Sequence, residues 1–303
     1  MKKGLSALIH PHTIEEFFAS YELSTPFVVH DNTEHMKVIR ELPFLESLEK
    51  LLSSWPSPIQ AHLPDVRDES SSIDTNTKDA QKLFNNGMGL LFNEAQTISP
   101  LLVEWLEEIK LNLGLSAMTY ARCLIYATPD GKGTAPHFDQ NINFVYQVHG
   151  TKVWHMAPNT DLLNPLTRHT MGTMPDPEMM GYLEAQLSTK MPANVETYEL
   201  RPGSILFVPR GYWHSTEAEG DALALNFTFT APTWLDIFTA ALRSRLAMSP
   251  EWRETANGVT DPDFRHLAEK KFDLLLGSLV GDLPYWRAGD ILDAMEPINP
   301  EDC

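Results

Sequence analysis

Gly133-Thr134-Ala135-Pro136-His137-Phe138-Asp139-Gln140 is the stretch on which the reading of this chain turns. It offers a histidine and a carboxylate two residues apart. In an extended strand, residues i and i+2 point to the same face. His137 and Asp139 are thus placed to hold one metal ion between them. A third ligand is needed, and the best candidate lies far downstream in Pro209-Arg210-Gly211-Tyr212-Trp213-His214. A His-x-Asp tripeptide alone is weak evidence. His214 alone reads equally well as a core histidine bonded to backbone.

Around this stretch, from Tyr120 to Thr230, the sequence has the pattern of strands and turns. Residues 122–127 form one strand, and Pro129-Asp130-Gly131-Lys132-Gly133 is a turn signal. Residues 142–148 and 151–157 read as a hairpin about His149-Gly150. Residues 214–218 and 222–229 read as a second about Glu219-Gly220-Asp221. A two-residue turn in the first sets Asn143, Gln147, Lys152 and Trp154 on one face, with Phe144, Tyr146, Val153 and His155 on the other. A three-residue loop in the second makes His214 and Asn226 cross-strand neighbours. Residues 204–208 are a further strand after Pro202-Gly203. Many short strands with such turns predict a sandwich or open barrel. Both registers gather polar residues onto one side, as a polar site inside a barrel requires.

Two histidines and one carboxylate on one face of an octahedral metal form a facial triad. It leaves positions open for a co-substrate and for O2, as in non-haem Fe(II) oxygenases. The His-x-Asp element, a lysine fifteen positions after His137, and the late His214 behind Pro202, Gly203 and Pro209 together resemble the JmjC/cupin-type 2-oxoglutarate oxygenases. The likeness is to the branch with the ribosomal oxygenases and the asparaginyl hydroxylase of hypoxia-inducible factor. It is strongest over residues 120–160 and 198–230. It implies a mainly β fold with flanking helices: a double-stranded β-helix (jelly-roll, cupin) core, an N-terminal α/β region and a C-terminal helical region. It implies Fe(II), 2-oxoglutarate as co-substrate and O2. The reaction implied is hydroxylation of a protein or peptide side chain, with release of succinate and CO2.

The same resemblance assigns His137, Asp139 and His214 to the catalytic metal. It assigns Lys152 to the far carboxylate of 2-oxoglutarate, with the Thr134 hydroxyl on the same group. A dicarboxylate entering a partly dry barrel needs a fixed cation, and a lysine left unpaired there is costly. The ribosomal oxygenases have an arginine at that position, so the chain follows the lysine branch. Asn143 and Asn226 match two asparagines lining the co-substrate pocket of the asparaginyl hydroxylase. Several relatives add a tyrosine from an upstream strand. Here Phe92 or Asn93 stands there; Phe92 has no hydroxyl, and the contact stays open among Asn93, Tyr120 and Tyr126. The plainer readings are a solvated lysine, ordinary strand asparagines and a turn threonine. Alternatives to the function are the same chemistry on a small metabolite, and a metal-binding cupin or interaction module without oxygenase activity. A metal-only cupin has no need of Lys152.

The chain has 303 residues, 43% of them hydrophobic, enough for one sizeable core plus a helical appendage. The expected division is an oxygenase domain over 1–230, with its barrel core at about 84–230, and a helical region over 231–303. The resemblance implies that this helical region makes a homodimer. The formal net charge of −18 disfavours direct binding to nucleic acid. Two cysteines, Cys123 and Cys303, give neither a disulfide framework nor a zinc site. No apolar run is long enough for a signal peptide or a membrane span. A cytoplasmic protein is expected.

Upstream, Thr13 and Glu16 have capping-box spacing at the start of a helix over 10–22. Residues 26–30 and 88–93 are strand candidates, and 42–53 and 100–113 are helices. Residues 67–79 form a polar surface loop. Residues 158–199 are irregular and rich in Pro and Met; they form either the substrate entrance or a packed cover over the barrel.

Overall fold

The computed structural model describes residues 3–56, 58–63 and 71–294. Eleven strands form one antiparallel system: β1 (Phe27–Val29), β2 (Ile59–His62), β3 (Ser72–Thr75), β4 (Gly89–Phe92), β5 (Tyr120–Thr128), β6 (Gly133–Phe138), β7 (Ile142–Ala157), β8 (His169–Thr170), β9 (Glu196–Leu200), β10 (Ile205–Val208) and β11 (Trp213–Thr230). The spine is the pairing of β7 with β11, which runs from Trp213↔Ala157 to Phe229↔Ile142. Each of these strands works in two sheets. The first half of β7 pairs with β10, and its second half with β9. The first half of β11 pairs with β6, and its second half with β5. One sheet is therefore β1-β10-β7-β11-β5-β4-β2-β3, and the other is β9-β7-β11-β6-β8. This is the jelly-roll expected from the sequence.

The two expected hairpins are not present. β7 and β11 run unbroken through 149–150 and 219–221, and the ladder between them shifts register there instead. Gly150 takes φ +66, and a Cβ on it would lie 2.2 Å from the Asp221 carbonyl oxygen. The glycine thus marks a bulge where one strand bends against the other, not a chain reversal. A bulge shifts the alternation of side chains by one, as a two-residue turn does. Asn143, Lys152 and Trp154 accordingly share the inner face, as expected, but through a bulge rather than a turn. Gln147 is fully buried and donates to the His149 carbonyl. His214 and Asn226 are not cross-strand neighbours. His214 faces His137 and Met156, and Asn226 faces Leu124 and Val145.

The outer face of the first sheet carries the main core. Phe144, Tyr146, Phe227 and Phe229 pack there against the N-terminal helices. Phe17, from helix Ile14–Glu22, lies 5.6 Å from the Phe144 ring, and Trp105, from helix Pro100–Asn112, stacks 6.0 Å from Phe227. The Thr13/Glu16 capping box is formed, and the Pro100 helix ends before Gly114 at φ +64. The helix expected over 42–53 is broken into a 3-10 turn, Pro43–Leu45, and helix Leu48–Ser54, capped by Ser47. In the expected loop at 67–79, residues 71–79 hold β3 and the start of helix Thr77–Asn85; residues 67–70 lie outside the described residues. β3 pairs with β2 despite its polar sequence, because it forms the exposed end of the sheet.

Residues 158–199 contain β8, a short helix Pro177–Met180 and the start of β9. Leu162, Met171, Met179 and Leu187 form a cluster there with Phe138 and Trp213, while Met174 is exposed. A second compact unit comprises Ser116–Thr119 and Ala231–Cys303. Its helices are Trp234–Leu246, Arg265–Asp282 and Ala288–Asp293, and none of them contains a buried residue. Residues 295–303, with Cys303, lie outside the described residues.

Candidate active site

Pairing of β6 with β11 brings the distant histidine to the His-x-Asp element. His137 and His214 are register partners, with ring centroids 4.1 Å apart. Asp139 sits just past the end of β6. The Gly211 amide donates to the Asp139 carbonyl at 2.8 Å, which ties the turn before β11 to the turn after β6. Gly133, at the start of β6, lies so close to β11 that a Cβ would meet the Thr216 carbonyl oxygen at 1.6 Å. Only glycine permits that approach.

One ligand atom from each of His137, Asp139 and His214 lies within 4.8 Å of the other two, and this is the one such group of three or more among the described residues. The Nδ1 of His137 donates to the Ala135 carbonyl at 2.8 Å, and that of His214 to the Tyr212 carbonyl at 2.9 Å. These bonds fix both tautomers, so each Nε2 is left as an acceptor. The two Nε2 atoms lie 3.8 and 3.6 Å from the Asp139 Oδ2. Burial holds His137 well below the usual histidine range, helped by His214 and Arg168, and burial also lowers His214. Two neutral imidazoles and one carboxylate oxygen converging on a point are the donor set that a divalent transition metal requires.

Two neighbours stiffen the group. Trp154 stacks 5.6 Å from the His214 ring. Arg168, from the irregular segment 158–199, lies with Nε 3.2 Å from the Asp139 Oδ1 and donates from Nη1 to Thr170 Oγ1 at 2.9 Å. Arg168 thereby occupies one carboxylate oxygen and leaves the other for the histidine side. No spacing in the sequence pointed to it.

A cavity of about 360 Å³ opens beside the triad, between the two sheets. Lys152, Thr134, Asn143 and Asn226 all line it. Lys152 is buried, donates to Thr128 Oγ1 at 3.0 Å, and stands 5.7 Å from the centre of the Tyr126 ring. Burial pushes its ammonium down to about 8. The Thr134 hydroxyl bonds that of Thr216 at 3.0 Å. Asn143 Oδ1 accepts from the Thr228 hydroxyl at 2.6 Å, and Asn226 Oδ1 is buried without a partner among the described residues. Thr128, Thr216 and Thr228 were not anticipated, although alternation along β5 and β11 puts each of them on the inner face.

Of the three residues considered for the upstream contact, Tyr126 and Asn93 line the cavity. Tyr120 is about half exposed and bonds Glu94 instead. Phe92 is buried against Trp55. His149 bonds the Leu45 carbonyl, and His155 bonds Thr197, both as structural histidines.

Residues 104–237 match the JmjC domain family. The uncharacterized protein YxbC of Bacillus subtilis is 31% identical over 258 residues, which cover 83% of this chain and 78% of that protein. Ribosomal oxygenase 1 of Rattus norvegicus is 28% identical over 167 residues, 54% of this chain and a quarter of its own. The bifunctional lysine-specific demethylase and histidyl-hydroxylase NO66 of Dictyostelium discoideum is 24% identical over 82% of this chain and 47% of its own. The chain thus spans less than half the length of these two oxygenases. Among solved structures, Escherichia coli YcfD superposes with a TM-score of 0.54 at 17% identity, covering 89% of this chain and 68% of YcfD. YcfD with cobalt and succinic acid gives 0.52 at 15% identity, covering 89% and 67%. The fold agrees with these structures, and by its match to the domain and its identity with YxbC across most of both chains, the protein belongs to the JmjC-domain family.

Proposed function

We propose that this JmjC-family protein is an Fe(II)- and 2-oxoglutarate-dependent hydroxylase that acts on a side chain of a protein or peptide. One observation carries the reading: the convergent His137–Asp139–His214 triad shares a cavity with a buried lysine. A buried cation costs the fold unless it meets an anion, and no carboxylate of the described residues pairs with Lys152. A dicarboxylate that chelates the metal at one end answers that need at the other. Iron with 2-oxoglutarate and O2 supplies the oxidising chemistry, in which O2, 2-oxoglutarate and a C–H bond give succinate, CO2 and a C–OH bond.

The protein's own part is placement. His137 and His214 present Nε2 in a fixed tautomer, and Arg168 restrains Asp139. Lys152 binds the far carboxylate, with the Thr134–Thr216 hydroxyl pair and Tyr126 beside it. Asn143 and Asn226 line the same cavity and offer amide groups to the co-substrate or the substrate. Leu91, Leu124, Val145 and Val208 keep that wall dry. NO66 and ribosomal oxygenase 1, which the chain resembles over part of their lengths, bear names that support a protein substrate.

Anaerobic titration of the purified protein with Fe(II) and 2-oxoglutarate tests this reading. A weak visible charge-transfer band is expected in wild type and absent in His214→Ala. A protein that binds the metal but gives no band is a cupin without oxygenase chemistry.

We further propose that the helical unit pairs with a second copy. Its helices bury nothing of their own, and Trp234, Leu235, Leu274 and Val280 are each more than half exposed. A sedimenting monomer at micromolar concentration would remove this reading. A cytoplasmic location accords with the cysteine content and with the lack of any membrane-crossing helix among the described residues.

A further inference from the structure

We propose that Arg122 is the specificity residue for the substrate of this site, and that the substrate is a peptide segment presenting a carboxylate to it. This rests on the hydroxylase reading above. It concerns the part of the cavity that neither the metal nor 2-oxoglutarate reaches.

The first argument is position. The bend at Gly150 closes one end of the cavity. Lys152 stands two residues past the bend, and it bonds Thr128, whose partner Ala222 adjoins the bend on β11. The inner face of β5 carries Thr128, Tyr126, Leu124 and Arg122 in turn away from that closed end. Six residues of strand amount to about 20 Å. A five-carbon acid anchored on Lys152 spans less than half of that, so Arg122 is beyond its reach. Arg122 faces Thr228 across the ladder, and Thr228 faces Asn143 in turn. This row lies on the sheet opposite His137 and His214 and toward the open end. A group bound there would face the triad from the opposite sheet, away from Lys152, where a substrate could enter.

The second argument is charge. The whole chain carries 23 Lys and Arg against 41 Asp and Glu. The cavity wall inverts this: Arg122, Lys152 and Arg168 line it with a single carboxylate, Asp139. Asp139 takes Arg168 at 3.2 Å, and 2-oxoglutarate takes Lys152. Arg122 is left as the cation without an ion pair among the described residues. Its Nε is buried and has no hydrogen-bond partner there. Its guanidinium lies 5.5 Å from the centre of the Tyr120 ring, and the Tyr120 hydroxyl interacts with Glu94 and with Arg122 itself. The ring steadies the guanidinium of a side chain that lines the cavity. A guanidinium so held binds a carboxylate through two parallel bonds. Asn141 and Asn143, whose amide oxygens already accept from Thr230 and Thr228, keep their NH2 groups for the same anion.

The test uses the full-length protein, loaded with iron and 2-oxoglutarate under nitrogen and immobilised. It is offered blocked decapeptide libraries in which the central residue is Asp or Glu, Asn or Gln, or Lys or Arg. Retained peptides are quantified by mass spectrometry. Admission of air then reports which of them gain an oxygen. Acidic peptides are expected to be retained about 30-fold over their amide counterparts. That ratio falls toward one in Arg122→Gln and turns to favour basic peptides in Arg122→Glu. Arg122→Lys keeps the sign of the preference with a smaller ratio. Equal retention of acids and amides by wild type, retention of neither, or an undiminished ratio in a folded Arg122→Gln overturns the inference. If wild type fails to bind 2-oxoglutarate at all, the hydroxylase reading falls instead. The two failures are thereby separated, and the wild-type ratio decides the question even if one variant does not fold.

Discussion

The two ends of the cavity each present a cation, by opposite means. At the closed end Lys152 is buried, has one hydroxyl partner, and is pushed by burial down to about 8. At the open end Arg122 is half-buried beside an aromatic ring. The closed end would therefore bind an anion at a cost to the empty fold, and its charge can be titrated away. The open end bears little of that cost. A co-substrate present in the same form for every turnover suits the first arrangement, and a substrate that must come and go suits the second.

The largest effect distinguishes neither end, since both depend on the triad between them. His214→Ala should abolish the iron-dependent visible band and lower succinate formation at least about 100-fold. Lys152→Met comes next and acts on the closed end alone. The Kd for 2-oxoglutarate, read by calorimetry, should rise on the order of 100-fold, because a desolvated carboxylate loses its only cation. The same change should raise the melting temperature of the ligand-free protein by about 5 °C, since an uncompensated buried charge is removed. Unchanged affinity would show that the two ends do not divide the work as described.

Arg168→Met ranks third. It frees the Asp139 Oδ1 and should weaken Co(II) or Fe(II) binding about tenfold, without altering the 30-fold preference set at the open end.

The smallest effect is a pH profile that only the closed end should show. The lysine is lowered from 10.5 to about 8 in the folded chain. It is charged below about pH 8, so 2-oxoglutarate affinity should hold there and fall about tenfold per pH unit above it. Lys152→Arg should flatten that decline. For stability the sign is reversed. Between about pH 8 and 10.5 the unfolded chain binds the proton and the folded chain does not. The ligand-free fold therefore becomes more stable across that window, by on the order of 3 kcal/mol in all, and chemical denaturation at pH 7.5 and 10 would show it.

The residues legible in the sequence were those fixed by short spacing or by resemblance: His137 and Asp139, Lys152 at fifteen positions on, and His214 after its Pro-Gly approach. Gly150 and Gly220 were visible as breaks but misread as turns. A glycine at positive φ serves a hairpin and a bulge equally, and only the partner strand decides between them. Arg168 was not legible, because it comes from an irregular segment and reaches Asp139 only through the β6–β8 pairing. Arg122 was in plain view within a strand correctly placed. Alternation with the buried Cys123, Ile125 and Ala127 put it on the inner face with Leu124 and Tyr126. What the sequence lacked was the bend, which alone says which end of that face meets the lysine.

The hydrogen bond from the Gly211 amide to the Asp139 carbonyl and the His137–His214 pairing have a further consequence. They close a loop of 77 residues with backbone alone. Shutting a loop of that length costs conformational entropy that an ion would otherwise have to overcome as it bound. Here folding has already met that cost, so the ligand atoms wait in register and an arriving ion needs to order very little. Such a site should exchange its metal rapidly and survive chelation as a folded protein. The ion would then be a replaceable tool rather than a rivet.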